Sequence, residues 1–377
     1  MKLARRDMVR GALALGSAAL TGAMAGRVRA QDIIVSAPSA PPAPPSGDAL
    51  QMARFLRVIP KAEYHVHVEG TLEPALAFKL AQRNAVPLPF ADVAALAASR
   101  IDLDQPRFLA AYREGVKVLL TEQDFHDLAL AYIARAASQN VLHVEMVFEP
   151  ALHVSRGLAV ETALLGISRA RGTAARLYGI SSGLILGLGR ELEPDAAARL
   201  LESALPWREH LVGVGLEGDV RGHAPARFAA LVARAREGGL KVAAQCEGAQ
   251  LRQAVVDLKI DRIDHGGAIL AMPDVMALAR QRGLALTVCP GFPGEPEGGE
   301  AVRQLLDAGL DVTLTSHAPA YGGAYLTDVL ARVQNAAGLT QRELLTLARN
   351  AIGAAWIADE YKARLLARLD IFARAWG

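Results

Sequence analysis

Two cysteines in 377 residues are too few for a disulfide framework. Cys246 and Cys289 can at most pair with each other in an oxidising compartment, so covalent staples do not hold this fold together. An excess of charge is missing too: 41 Lys and Arg stand against 39 Asp and Glu, a net +2. Even that excess is confined to the first 30 residues, where six cations (Lys2, Arg5, Arg6, Arg10, Arg27, Arg29) face one anion (Asp7), so the remainder carries about −3. A chain with no basic surplus is a poor match for nucleic acid or for a basic membrane patch. No internal repeat is visible. The apolar run that starts at Gly11 is too short and too rich in Gly to span a bilayer.

That run instead has the makings of an export signal over residues 1–30. Arg5-Arg6-Asp7-Met8-Val9 fits a twin-arginine pattern, and Val28-Arg29-Ala30 offers a cleavage site before Gln31. Export of this kind suits a protein that folds around a metal before crossing, and it places the mature chain in the periplasm or outside the cell, with no membrane span left after processing. Residues 31–55 read as a proline-rich tether, with Pro38, Pro41, Pro42, Pro44 and Pro45 among small residues. Residues 56–377 remain, a length that suits one large domain.

Within that domain, apolar or β-branched runs alternate with amphipathic stretches. Eight such runs read as strands: 62–68, 143–148, 180–188, 212–218, 240–245, 260–265, 284–289 and 311–316. Helical patterns separate them, for instance 195–205, 225–237, 273–282 and 300–308, many stopped by Gly. Strand and helix alternating eight times predicts an α/β fold, a (β/α)8 TIM barrel closed by parallel strands. The first crossover is long enough to hold extra helices (72–84, 107–119, 122–139), and a helical tail at 341–376 follows the last strand.

The residues richest in chemistry fall where these strands end. Ala62-Glu63-Tyr64-His65-Val66-His67-Val68 places two imidazoles at i and i+2, which on a strand share a face and can grip one metal ion. The later strand ends supply Glu149, then Arg190 and Glu191, then Glu217, Gly218 and Asp219. They go on to Gln245, Cys246 and Glu247, to His265, to Cys289, and to Ser316 and His317. The other five histidines, His126, His143, His153, His210 and His223, fall in helical or loop patterns and read as surface or supporting groups.

Several collinear motifs now carry a resemblance. They are Pro-Lys-Ala-Glu-Tyr-His-Val-His-Val-Glu-Gly-Thr-Leu-Glu-Pro at 60–74, Arg-Ile-Asp-His-Gly at 262–266 and Cys-Pro at 289–290. Further on come Arg-Gln-Leu-Leu-Asp-Ala-Gly-Leu-Asp-Val-Thr-Leu-Thr-Ser at 303–316 and Ala-Arg-Asn-Ala-Ile at 348–352. With these the chain resembles the adenosine and adenine deaminase family of the amidohydrolase superfamily, and Ala-Tyr-Leu at 324–326 leans toward the adenine branch. The resemblance implies a mononuclear Zn²⁺ barrel that hydrolyses an exocyclic amine from a purine or related amino-heterocycle and releases ammonia. It casts His65 and His67 as metal ligands, Glu247 as the acid toward the ring nitrogen and His265 as the carrier of the water proton. Glu69, Gly218 and Gln245 are cast as contacts to a small-molecule substrate.

The chain departs from the family at two ligand positions. Where the family carries His-Ala-Gly-Glu after its fifth strand, this chain reads Ala244-Gln245-Cys246-Glu247. One register sets Gln245 in the ligand's place and the other sets Ala244 there, and neither offers an imidazole. Where the family carries Ser-Asp-Asp-Pro after its eighth strand, this chain reads Ser316-His317-Ala318-Pro319. His65, His67 and His317 can then form a neutral three-imidazole site, or His317 points elsewhere and the chain is an exported pseudoenzyme that binds a ligand without turnover. Loss of the anionic ligand leaves more positive charge on the ion and lowers the pKa of a bound water. Cys246 can serve as a thiolate ligand or pair with Cys289.

Overall fold

The computed structural model describes residues 47–218, 221, 223–246, 248–292 and 298–376. The expected export signal at 1–30, the tether residues 31–46, Asp219 and Glu247 lie outside the described residues. Eight strands follow chain order: β1 (Lys61–His67), β2 (Val141–Phe148), β3 (Ser181–Gly189), β4 (Gly213–Glu217), β5 (Lys241–Gln245), β6 (Arg262–Asp264), β7 (Ala285–Val288) and β8 (Asp311–Leu314). Each pairs in parallel with the next. Parallel neighbours need crossovers, and helices in those crossovers cover the outer face of the sheet, which is why strands such as β1 and β2 are buried along their whole length. The last strand returns to the first. His67 N–H donates to the His317 carbonyl at 2.9 Å, and Ser316 donates its N–H and its hydroxyl to Glu63 Oε1 at 2.7 and 2.6 Å. The result is a nearly closed (β/α)8 barrel.

The long first crossover holds helices Pro74–Arg83, Val93–Ala98, Gln105–Gly115 and Glu122–Ser138. Their starts are written locally. Asp92 accepts from Ala95 N–H and Asp104 from Arg107 N–H, both at 2.8 Å, and Thr121 with Asp124 forms a capping box. Two expectations need correction at the ends of the domain. Residues 47–55, expected as tether, belong to the helix Gly47–Val58, because Phe55 is fully buried with its ring 5.5 Å from those of Phe372 and Trp376. The tail is two helices, Gln341–Gly353 and Asp359–Trp376, and the break between them lets Trp356 enter the barrel and pack on Val147, Ile185 and Ala243. Gly213 is glycine for that reason, since a Cβ there would lie 2.4 Å from the Trp356 ring.

Next to Trp356 the barrel interior is polar. The Arg262 guanidinium lies 4.2 Å from the Trp356 ring centre and 4.7 Å from that of Tyr64, and it pairs with Glu145. His143, the first residue of the expected strand 143–148 and also counted among the surface or supporting histidines, lies on β2 and is completely buried, 2.8 Å from Ser181 Oγ and 3.2 Å from Glu145 Oε1.

Candidate active site

The carboxyl ends of the strands bring four imidazoles together. The first pair does not get there by simple alternation: the register between β1 and β2 shifts between Glu63 and Val66, and His65 takes φ of 55°. A bulge turns the two rings toward each other, and their centroids are 5.0 Å apart. His265 follows β6 with φ of 54°, and His317 follows β8 with φ of 56°. Each non-glycine residue held in this left-handed region costs about 1–3 kcal/mol, so the surrounding barrel must enforce it three times. Ring centroids are 4.5 Å apart for His67 and His317, 5.0 Å for His65 and His317, and 5.1 Å for His65 and His265.

Carboxylates stand behind the first pair. His67 Nδ1 is 2.7 Å from Glu149 Oε1, which also accepts the Tyr112 hydroxyl at 2.9 Å. His65 Nδ1 is 3.1 Å from Asp264 Oδ2 and 3.8 Å from Glu217 Oε1. The Asp264 contact is close in distance but off-line, and neither atom has an aligned hydrogen bond. A carboxylate at Nδ1 draws the ring proton to that side and leaves the Nε2 lone pair for a metal. His65 Nε2, His67 Nε2 and His317 Nδ1 are buried with no hydrogen-bond partner among the described residues. The three rings offer ligand atoms that all lie within 4.8 Å of one another. Unpartnered buried polar atoms are rare in folded proteins, and three that converge fit a divalent ion with an open coordination position.

Protonation sorts the rings. Burial draws His65 down to about 4. Burial and the neighbouring imidazoles take His317 well below the usual range. Burial acts on His67 as well, but the hydrogen bond and charge of Glu149 outweigh it and lift this ring to about 9, so an ion at Nε2 displaces a proton there. Beneath His65, burial and the adjacent Asp264 raise Glu217, while His65 and Arg262 outweigh burial and hold Asp264 below the ordinary carboxylate range. Gly215 makes room for Glu217, because a Cβ there would lie 2.3 Å from Glu217 Oε1.

The other expected residues are distributed as follows. Gln245 shares the inward face of β5 with Ala243, while Ala244 packs into the outer core, so Gln245 occupies the inward position and no imidazole does. It pairs in register with Asp264. Gly218 follows β4 with φ of 82°. Glu69 is fully buried. Its Oε1 lies 2.9 Å from His153 Nε2 and accepts Glu149 N–H at 3.1 Å, and its Oε2 is buried without a partner among the described residues. Cys246 and Cys289 are buried thiols with no disulfide between them, and burial pushes Cys246 up to about 12, away from easy thiolate formation. Aromatic side chains flank the imidazoles. Phe292 has its ring centroid 4.0 Å from that of His317, and it packs on Phe108, which touches Tyr112 and Tyr321. The supporting roles of Glu149, Glu217 and Asp264 were not anticipated, although all three sit at strand ends. Tyr112 comes from a crossover helix and gave no signal at all.

Known proteins agree with this architecture. The family model described as adenosine deaminase matches residues 60–372. An adenine deaminase of Caulobacter vibrioides is 40% identical over 334 residues, covering 86% of this chain and 96% of its own length. One from Rhodospirillum rubrum is 41% identical over 324 residues, covering 84% and 97%. Among solved structures, an adenine deaminase from Arthrobacter aurescens superposes with a TM-score of 0.80 at 34% identity, over 84% of this chain and all of that one. An amidohydrolase from Burkholderia ambifaria with bound Zn gives 0.78 at 26% identity, over 86% and 94%. Motif order, barrel and relatives of nearly full length converge, and the chain belongs to the adenosine deaminase family of the amidohydrolase superfamily.

Proposed function

We propose that this chain is a zinc-dependent hydrolytic deaminase that removes the exocyclic amine of a purine or related amino-heterocycle. The observation that carries the proposal is the convergence of His65, His67 and His317, which offer ligand atoms within 4.8 Å of one another and each keep a buried ring nitrogen with no partner among the described residues. Bound there, a divalent ion supplies the Lewis acidity that makes water a competent nucleophile near pH 7. Asp264 and Glu149 hold the first two rings in the ligating tautomer. His265, 5.1 Å from His65 between ring centroids, takes the proton of the attacking water. Glu247 delivers a proton to the ring nitrogen, and Gln245, Gly218 and the open oxygen of Glu69 contact the heterocycle. The apolar edge formed by Phe292 and Phe108, whose rings meet at 82°, suits an uncharged aromatic ring. The adenine deaminase names of the relatives point the same way.

One observation favours a binding-only protein: the amide Gln245 occupies the inward end of β5, where the family carries an imidazole. Elemental analysis of the purified chain, with ammonia release measured across aminopurines and aminopyrimidines, separates the two readings. Stoichiometric metal with turnover that disappears in His65→Ala supports the enzyme. A ligand that raises Tm and is recovered unchanged indicates binding alone, and inert metal-free protein overturns the enzyme. The proposal extends to place: with residues 1–30 as an export signal, the working protein is periplasmic or secreted, and amino-terminal sequencing should find Gln31 first. No helix among the described residues is long and apolar enough to cross a membrane.

A further inference from the structure

Three donor sets overlap at His65. Besides the imidazole trio, Glu217 and Asp264 approach it, and so do His265 and Cys289, with the ligand atoms within each set all inside 4.8 Å. The last set differs in kind because it brings sulfur. Cys289 follows β7, is fully buried, and has Sγ 3.7 Å from His265 Nε2. The His65 and His265 rings are 5.1 Å apart and nearly perpendicular, at 86°. His65 Nδ1 faces Asp264 at 3.1 Å, and its Nε2 is buried with no hydrogen-bond partner among the described residues, which leaves that nitrogen for an ion.

We infer that His65, His265 and Cys289 form a second, thiolate-containing position for a soft cation, in competition with the three-imidazole position. Thiolate favours the softer ions and an all-imidazole set accommodates zinc as well, so the two positions differ most for a thiophilic cation. Because His65 belongs to both sets, an ion held by Cys289 takes one ligand from the neighbouring trio and also occupies His265. Thiophilic cations therefore inactivate the protein by moving the metal, not by replacing it in place. Binding breaks the Cys289 S–H bond and forms a sulfur–metal bond, and the proton passes to solvent with no change in oxidation state. The inference rests on the proposed zinc site beside it.

The test titrates the full chain, stripped by chelator, with Zn²⁺ and separately with Cd²⁺, following metal content and the ultraviolet sulfur-to-cadmium charge-transfer band. Cadmium should produce the band and zinc should bind without needing sulfur. In Cys289→Ser the band should vanish and cadmium affinity should fall roughly tenfold or more, with zinc binding retained. His317→Ala should lose zinc yet keep the cadmium band. Circular dichroism confirms that each variant folds, and Cys289→Ala repeats the test if serine perturbs the core. Cadmium bound without the band, or a band that survives loss of Cys289, overturns the inference. A cadmium band with no zinc bound by the parent chain overturns the proposed enzyme and leaves this site standing.

Discussion

Two polar clusters are buried inside one barrel, and they are finished differently. Around Arg262, at the level of Trp356, Glu145 accepts from Arg262 and from the Trp356 backbone N–H and touches His143, while the guanidinium is faced by two aromatic rings. At the strand ends, His65, His67, His317 and both oxygens of Glu217 keep buried atoms with no partner among the described residues. Residue types and depth are alike in the two layers. Burial of charge therefore does not mark the site. Unpartnered atoms occur in both layers, the Nε and Nη2 donors of Arg262 and the Tyr64 hydroxyl in the lower one, so what marks the site is that its unpartnered atoms include lone-pair nitrogens and carboxylate oxygens in a geometry that a cation would complete.

The contrast can be broken from either side. Arg262→Met should have the largest effect, destabilising the chain by about 3–5 kcal/mol, because it strands Glu145 as an unpaired buried charge. Urea unfolding reads this, and an unchanged midpoint would show that the lower layer is not a structural tie. The same pair predicts the acid limb. Burial alone would raise Glu145, but the charge of Arg262 and the bond to His143 hold it down to about 2. Its folded value lies below its unfolded value of 4.5, so its contribution is complete above about pH 4.5 and is lost as pH falls through 2. Roughly 3 kcal/mol should disappear over that window at about 1.4 kcal/mol per unit, and a flat stability profile would contradict the assignment.

In the upper layer the sign reverses. His317→Ala should weaken metal binding about a hundredfold or more, while leaving Tm of the metal-free chain near the parent value, since burial keeps this ring neutral and its Nδ1 has no partner among the described residues to lose. A large drop in metal-free stability would show that the imidazoles are structural after all. Glu149→Gln should be the mildest change, weakening metal affinity about tenfold with the fold intact, because it loosens the tautomer of His67 without removing a ligand. Chelator competition measures both variants. Equal losses would mean that Glu149 does more than orient the ring.

Much of this was visible in the residues. All eight strands fall where alternating apolar runs predict them, and the helix Pro273–Arg282 coincides with its predicted range, because Pro at its start and Gly at its end punctuate the pattern. His143 was placed on its strand, but its burial escaped because the partners that satisfy it, Ser181 and Glu145, are seen only in the folded barrel. The helix Gly47–Val58 escaped because the prolines before it made the whole stretch look like tether, and only Phe372 and Trp376, more than 300 positions on, show what covers Phe55.

The sequence alone determined the order of strands and helices and the family, since periodicity, punctuation and collinear motifs are local properties of the chain. Only the tertiary structure decided that Gln245 takes the inward end of β5, that a bulge at His65 turns the first two rings together, and that Cys289 lies beside His265. Those outcomes depend on strand register and on left-handed backbone at three histidines. Both are fixed when distant segments close the barrel, and no single segment encodes them.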